Sequence, residues 1–323
     1  MFYSPRYSSF QDQECNQKNY RKIQTGRNKK QGCVSLSEFR ATKHLTNVFD
    51  LQIHDTQVPQ ALFVTEPKNL IGYCHVPKVA STLLMSNFAE LNNLNGSIIQ
   101  TKLKAMTLHD YLFAKFSKSY PEDEDQLSKL FTFVFIRHPF ERLVSAFHDK
   151  FITLQQLNIM EPFVKYYMKS YGITDKLILK KPWVKRHINV TFENFVKFVL
   201  HENSLKEKIS PPSWHWWPFS DVCKLNDINY NFIGKIESLE QDVECLLQHF
   251  PGYTKFQNIR DKMKSKVNAQ GHHNANMTME YFSQLSKHDI RNLYKMYETD
   301  FVMGGYEYPQ YYIDKGKDMD TKT

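Results

Sequence analysis

A chain of 323 residues with 42 Lys and Arg against 34 Asp and Glu carries a net charge of +8, and 41% of it is apolar and 14% aromatic. That apolar content builds a core and excludes a disordered, collagen-like or disulfide-framework protein. No run approaches the ~18 apolar residues that a membrane helix needs, and no apolar stretch follows Met1–Arg6 as a signal peptide or anchor would require.

The charge is uneven. Residues 1–50 hold nine Lys and Arg against four acids, so this stretch carries +5 and the rest +3. Residues 1 to about 35 are rich in Gln, Asn, Lys and Ser, which predicts disorder and a solvated basic tail rather than a nucleic-acid arm. The leader is placed at 1–65, a domain at 66–310 and a polar tail at 311–323. A near-neutral body suits an enzyme with a local anion pocket.

From there the texture alternates. Leu70–Val76 reads as a short strand stopped by Pro77, and Ser81 can cap a helix to about Leu91, with Leu84 and Phe88 on one face. The charge run Pro121–Asp125 reads as an exposed loop. Phe131–Ile136 is a near-continuous apolar run of buried-strand length. Pro139 and Glu141 suit the first turn of the next helix. On it Leu143, Phe147 and Phe151 form an i, i+4, i+8 stripe, and Ser145 lies about 200° from Leu143, on the polar side.

Further on, Thr191–Leu200 predicts a helix and Tyr230–Ile236 a strand. Ser238–Gln241 is a capping box for a helix toward Phe250. A last helix spans Ser286–Phe301, with Ile290, Leu293, Tyr294 and Tyr297 on one side and Gly304–Gly305 ending it. Strands alternating with helices predict an α/β fold with a mostly parallel central sheet flanked by helices.

The five cysteines (Cys15, Cys33, Cys74, Cys223, Cys245) lack metal-ligand spacing, which argues against zinc. They permit up to two disulfides and require none. The triplets at Asn95, Asn189 and Asn276 fit the glycosylation pattern about as often as chance gives, so they say nothing of compartment.

Two strand–loop–helix junctions carry the chemistry. At Val76-Pro-Lys-Val-Ala-Ser-Thr82 a helix N-terminus offers unpaired N–H groups and a positive dipole end to an anion. Lys78 adds a cation, and Ser81 and Thr82 add hydroxyls. The glycines of a Walker A loop are missing, which weighs against ATP or GTP chemistry. The bland alternative is a turn with a surface lysine. At the second junction Arg137 ends a buried strand, where α/β folds expose ligand-binding groups, and Ser145 follows on the next helix. The bland alternative there is an arginine bridging to Glu141 or Asp149.

Pro77–Thr82 followed by Arg137-His-Pro-Phe-Glu-Arg-Leu-Val-Ser145 resembles the signature of the Golgi carbohydrate sulfotransferases, in the branch of the chondroitin and dermatan 4-O-sulfotransferases. His215-Trp216, Cys223, Tyr230–Glu240, Leu293–Phe301 and Gly305-Tyr306 continue the pattern over roughly 66–310. Cys223-Lys-Leu-Asn-Asp227 keeps the first of two cysteines usual in that family, and the stretch from about 92 to 125 matches poorly.

The resemblance implies a P-loop-like sulfotransferase domain that uses 3′-phosphoadenosine 5′-phosphosulfate and needs no metal. The family's first loop grips the 5′-phosphosulfate, which maps onto Pro77, Lys78, Val79, Ala80, Ser81 and Thr82. Its second motif grips the 3′-phosphate, which maps onto Arg137 and Ser145. It implies a carbohydrate acceptor, glycosaminoglycan or glycoprotein glycan, and the Golgi lumen or membrane, whereas a chain with no visible anchor suits the cytoplasm. Nothing in the residues fixes an oligomeric state. The rival function is an impaired paralogue that binds nucleotide or glycan without turnover.

A sugar hydroxyl attacking sulfur needs a base with a pKa near neutral, which points first to histidine. His215 stands in the aromatic loop Pro211-Pro-Ser-Trp-His-Trp-Trp-Pro218 and is the first candidate. His109 precedes the second motif and is the next, with a carboxylate or another residue as the alternative. The bland reading makes the tryptophans core and bonds the histidine to a carbonyl.

Overall fold

The computed structural model describes residues 62–64, 71–85, 127, 129–153, 157–170, 190–205, 213–248 and 275–318. His109, the loop around 92–125, the charge run at 121–125 and the first helix beyond Met85 lie outside the described residues, as does most of the leader.

The sheet has four strands in the order β1–β2–β3–β4. Strand β1 (Leu62–Val64) pairs antiparallel with β2 (Ile71–Cys74). Strands β2, β3 (Phe131–Ile136) and β4 (Phe232–Lys235) run parallel. The mostly parallel sheet is therefore as expected, and β3 keeps the limits its apolar run predicts. Its aromatic and β-branched residues suit a strand covered on both faces. Tyr73 stacks on Phe133 at 5.0 Å between ring centroids, and Phe135 meets Phe133 edge-on at 6.4 Å. In β4, Gly234 lies so close to the Phe135 ring that a Cβ would collide with it.

Two boundaries move. Strand β1 belongs to the sheet although it falls within the 1–65 leader. At the other end helix α9 (Gln310–Lys315) buries Ile313, and Ser286 bridges to Lys317, so the fold runs into the segment read as a polar tail.

Helix α1 is described over residues 81–85 and follows β2. Helix α2 (Pro139–Phe147) begins with the expected proline and continues into a π-helical turn at His148–Thr153. The stripe of Leu143, Phe147 and Phe151 is buried as expected. The opposite side is not solvated, however: Arg142 and Ser145 are buried too. Helix α3 (Leu157–Ser170), the 3-10 turn Ser213–His215, α5 (Phe219–Val222), α7 (Ala275–Phe282) and α9 were not anticipated.

Helix α4 (Phe192–Ser204) starts at Thr191, whose hydroxyl accepts from Asn194 N. Helix α6 (Leu239–Gln248) follows β4, and the Ser238 hydroxyl before it donates to Asp242 Oδ2 at 2.9 Å. Helix α8 (Lys287–Met303) is capped by Ser286 and stopped at Gly304, with Gly305 at φ 59°.

Packing forms two cores. One holds the sheet with α1, α5 and α6. The other gathers α2, α3, α4, α7, α8 and α9 around an aromatic stack that includes Phe147, Phe151, Phe195 and Trp216. A disulfide joins Cys74, at the end of β2, to Cys223, after α5, across a sequence separation of 149. Cys245 is disulfide-bonded as well.

Candidate active site

The β2–α1 loop turns without glycine. Lys78 and Ala80 nevertheless sit at φ 71° and 54°, in the left-handed region that side chains disfavour by roughly 1–2 kcal/mol per residue. Such strain persists only where the surroundings dictate it, and it gathers at functional sites. The Ala80 carbonyl accepts from Leu83 N and Leu84 N, so Ala80 closes the first turn of α1 and Ser81 lies inside it. Ser81 is buried and Thr82 exposed, while Pro77 and Val79 are packed into the core side of the loop.

The Lys78 ammonium is mostly buried and pairs with Asp149 Oδ2 at 3.0 Å. Lys150 meets the same oxygen at 3.1 Å. Burial lowers the Lys78 pKa, and the Asp149 charge opposes that fall. For Asp149, burial raises the pKa, but Lys78 and Lys150 outweigh it and hold the carboxyl below its ordinary range. Asp149 and Lys150 come from the π-helical turn, and the irregular winding of such turns is frequent at functional sites.

Arg137 leaves the C-terminal end of β3 and bonds Glu141 Oε2 at 3.2 Å, which realises one of the two bland pairings; Asp149 serves Lys78 instead. The Arg137 charge also reaches Lys78, so the two junctions share one field. Ser145 lies six residues into α2, about 9 Å along its axis from the first residue.

At the ends of β3 and β4, Glu237 accepts from His138 N at 2.7 Å and from the Tyr306 hydroxyl at 3.2 Å. Lys235 lies over the Tyr306 ring at 4.8 Å. The motif blocks around 137, 235 and 306 thus meet at one sheet edge, where parallel α/β folds bind ligands. His138 is boxed by Phe140, Phe301, Tyr306 and Tyr312, and burial, then Arg137 and Lys235, push its pKa down to about 4.

The sequence model of the sulfotransferase family matches residues 61–308, which span both junctions and this edge. The chain belongs to the sulfotransferase family. Among its relatives, carbohydrate sulfotransferase 11 of Mus musculus is 30% identical over 263 residues, covering 77% of this chain and 68% of that protein. Carbohydrate sulfotransferase 10 of Xenopus laevis is 31% identical over 270 residues, with 77% and 68% covered. Carbohydrate sulfotransferase 12 of Mus musculus is 27% identical over 262 residues, with 76% and 60% covered. No solved structure matches the chain.

In this sulfotransferase His215 ends the 3-10 turn before α5. Its Nδ1 is buried and has no hydrogen-bond partner among the described residues, unlike the carbonyl-bonded histidine of the bland reading. Burial first, then the charges of Lys150, Lys78, His75 and Arg142, hold its pKa well below the ordinary histidine value. The tryptophans divide. Trp216 and Trp217 are core, and Trp216 Nε1 donates to Glu202 at 2.9 Å, while Trp214 is only half-buried.

Sequence reasoning missed Asp149 and Lys150 as site residues, because a six-residue π turn is too short to show its i→i+5 spacing in the sequence. Arg142 was missed too. It sits inside the quoted motif, but only the fold shows that its guanidinium is wholly buried against loop carbonyls. Among the described residues no group of three or more His, Cys, Asp or Glu is placed to hold a metal ion.

Proposed function

We propose that this sulfotransferase moves the sulfuryl group of 3′-phosphoadenosine 5′-phosphosulfate onto a hydroxyl of a carbohydrate, a glycosaminoglycan or a glycoprotein glycan. The observation that carries the reading is the strained loop that holds Lys78, mostly buried and paired with Asp149, just beyond the C-terminal end of a parallel strand. Relatives named carbohydrate sulfotransferases supply the acceptor class.

The residues suit the donor. The first turn of α1, with Ser81 and Thr82, would receive the 5′-phosphosulfate, and Arg137 with Ser145 the 3′-phosphate. In the transfer the acceptor oxygen bonds to sulfur as the bond from sulfur to the 5′-phosphate oxygen breaks. The acceptor proton passes to a base, and 3′-phosphoadenosine 5′-phosphate leaves. Lys78 would meet the charge developing on the leaving oxygen, the kind of electrostatic aid that dominates in-line group transfer.

His215 is the base we favour. A histidine whose protonation is opposed stays in the neutral, proton-accepting form near pH 7, at the cost of being a weaker base than one with a pKa near neutral. His109 is the second candidate. A retained Lys78 gives no support to an impaired paralogue. The Cys74–Cys223 disulfide suits an oxidising compartment, as the Golgi lumen is and the cytoplasm is not.

Incubation with labelled donor and a panel of desulfated glycosaminoglycans and glycoprotein glycans, followed by product mapping, tests this reading. Label in one acceptor class at one hydroxyl position is expected. Wild-type protein that binds the nucleotide and labels no glycan would contradict it.

A further inference from the structure

The donor loop and the His215 loop belong to distant parts of the chain, yet one side chain holds both. The Arg142 guanidinium on α2 spends each nitrogen on a different carbonyl: Nε donates to Pro77 O at 3.0 Å, Nη1 to Trp217 O at 2.6 Å and Nη2 to Trp214 O at 2.8 Å. Pro77 precedes Lys78, and Trp214 and Trp217 bracket His215. The planar fork fits three fixed acceptors in a way that an ammonium on a flexible stem does not.

A second set of contacts fixes the same loop from α8. The Tyr297 hydroxyl donates to Trp216 O. Asp300 accepts from Phe219 N at 2.8 Å and Ser220 N at 2.9 Å, fastening the start of α5 immediately after the loop. Arg142, Tyr297 and Asp300 are all buried. Thus the carbonyls of Trp214, Trp216 and Trp217 are each taken up by a side chain of α2 or α8, and His215 between them lies within the field of Lys150, Lys78, His75 and Arg142.

We infer that Arg142 is a positioning residue for sulfuryl transfer, setting the separation of the Lys78 loop from the His215 loop so that donor and acceptor meet in line. The inference rests on the sulfotransferase reading above. It assigns Arg142 no contact with either substrate.

The test compares wild type, Arg142→Lys and Tyr297→Phe by melting temperature, calorimetric affinity for 3′-phosphoadenosine 5′-phosphate, and turnover per nucleotide-binding site. Arg142→Lys keeps the charge and loses the fork, so it should fold, bind nucleotide more weakly and lose turnover by on the order of 10²-fold, the scale of a 1 Å misplacement. Tyr297→Phe frees only the His215 side, so it should lose turnover with nucleotide affinity unchanged. A merely structural role would lower the melting temperature and the number of sites but leave turnover per site intact, and that result would overturn the inference. If Arg142→Lys does not fold, Tyr297→Phe decides: a wild-type turnover per site defeats the inference. A wild type that transfers nothing defeats the sulfotransferase reading and this one with it, whereas an active wild type with an equally active Arg142→Lys defeats this one alone.

Discussion

Two half-buried histidines, both held below the ordinary histidine pKa, bear on different measurements that pH can separate. His215 is kept from protonating by burial and then by Lys150, Lys78, His75 and Arg142, so as the base it stays competent below the usual histidine range. The acid limb of the pH–rate profile should therefore fall below 6.5; a limb at or above 6.5 would contradict the assignment. His215→Ala should retain nucleotide affinity and lose turnover by the ~10²–10⁴ typical of a missing general base, and near-normal steady-state rates would promote His109 instead. His138 bears on stability rather than turnover. Its folded pKa of about 4 lies below the 6.5 of the unfolded chain, so between these values the unfolded state binds more protons and stability falls as pH drops. The shift corresponds to about 3 kcal/mol at most. Replacing it by phenylalanine, which suits its aromatic box, should remove that loss. Thermal melts from pH 7 to 4 should show the variant gaining on wild type, and parallel curves would refute the account.

At the level of elements, local signals located most of what the sheet and its helices needed. Strand β3, the proline start of α2, the Thr191 cap and the Ser286 cap are set by residues adjacent to them, so their positions follow from short windows. Elements fixed by distant partners were illegible. Strand β1 exists through its pairing with β2, and α9 through burial of Ile313 beneath its neighbours. The side of α2 that carries Ser145 has a polar composition but is enclosed by other elements, and composition alone does not reveal enclosure. The left-handed loop at Lys78 lacks the glycine that would have announced it. Gly234 is the converse case, a glycine required by a neighbour. Gly234→Ala would drive a methyl group into the buried Phe135 ring between β3 and β4. The expected cost of such overpacking is about 1–3 kcal/mol, read as a lower denaturation midpoint, and an unchanged midpoint would show that β4 can move aside.

Across the whole molecule, the site is assembled from three separated stretches: the β2–α1 loop, the β3–α2 junction with its π turn, and the loop before α5. The motifs mark the first two as the proposed anion sites, since strand ends and helix starts have known chemistry. The third was legible only as an aromatic loop with a histidine, because what secures it is Arg142, Tyr297 and Asp300 reaching over from helices far away in sequence. The Cys74–Cys223 bond ties the end of β2, where the first stretch begins, to the end of α5, which follows the third, a pairing that five cysteines without metal spacing could not reveal. Replacing both by alanine should lower stability by about 2–4 kcal/mol in chemical denaturation, and an unaltered unfolding curve would mean the bond is dispensable. On the proposed function, two junctions of this chain grip the two ends of one nucleotide. Titration calorimetry of 3′-phosphoadenosine 5′-phosphate against wild type and Arg137→Ala decides this: tight binding to the wild type and strongly weakened binding to a variant that remains folded are predicted, and equal affinity for both would contradict it.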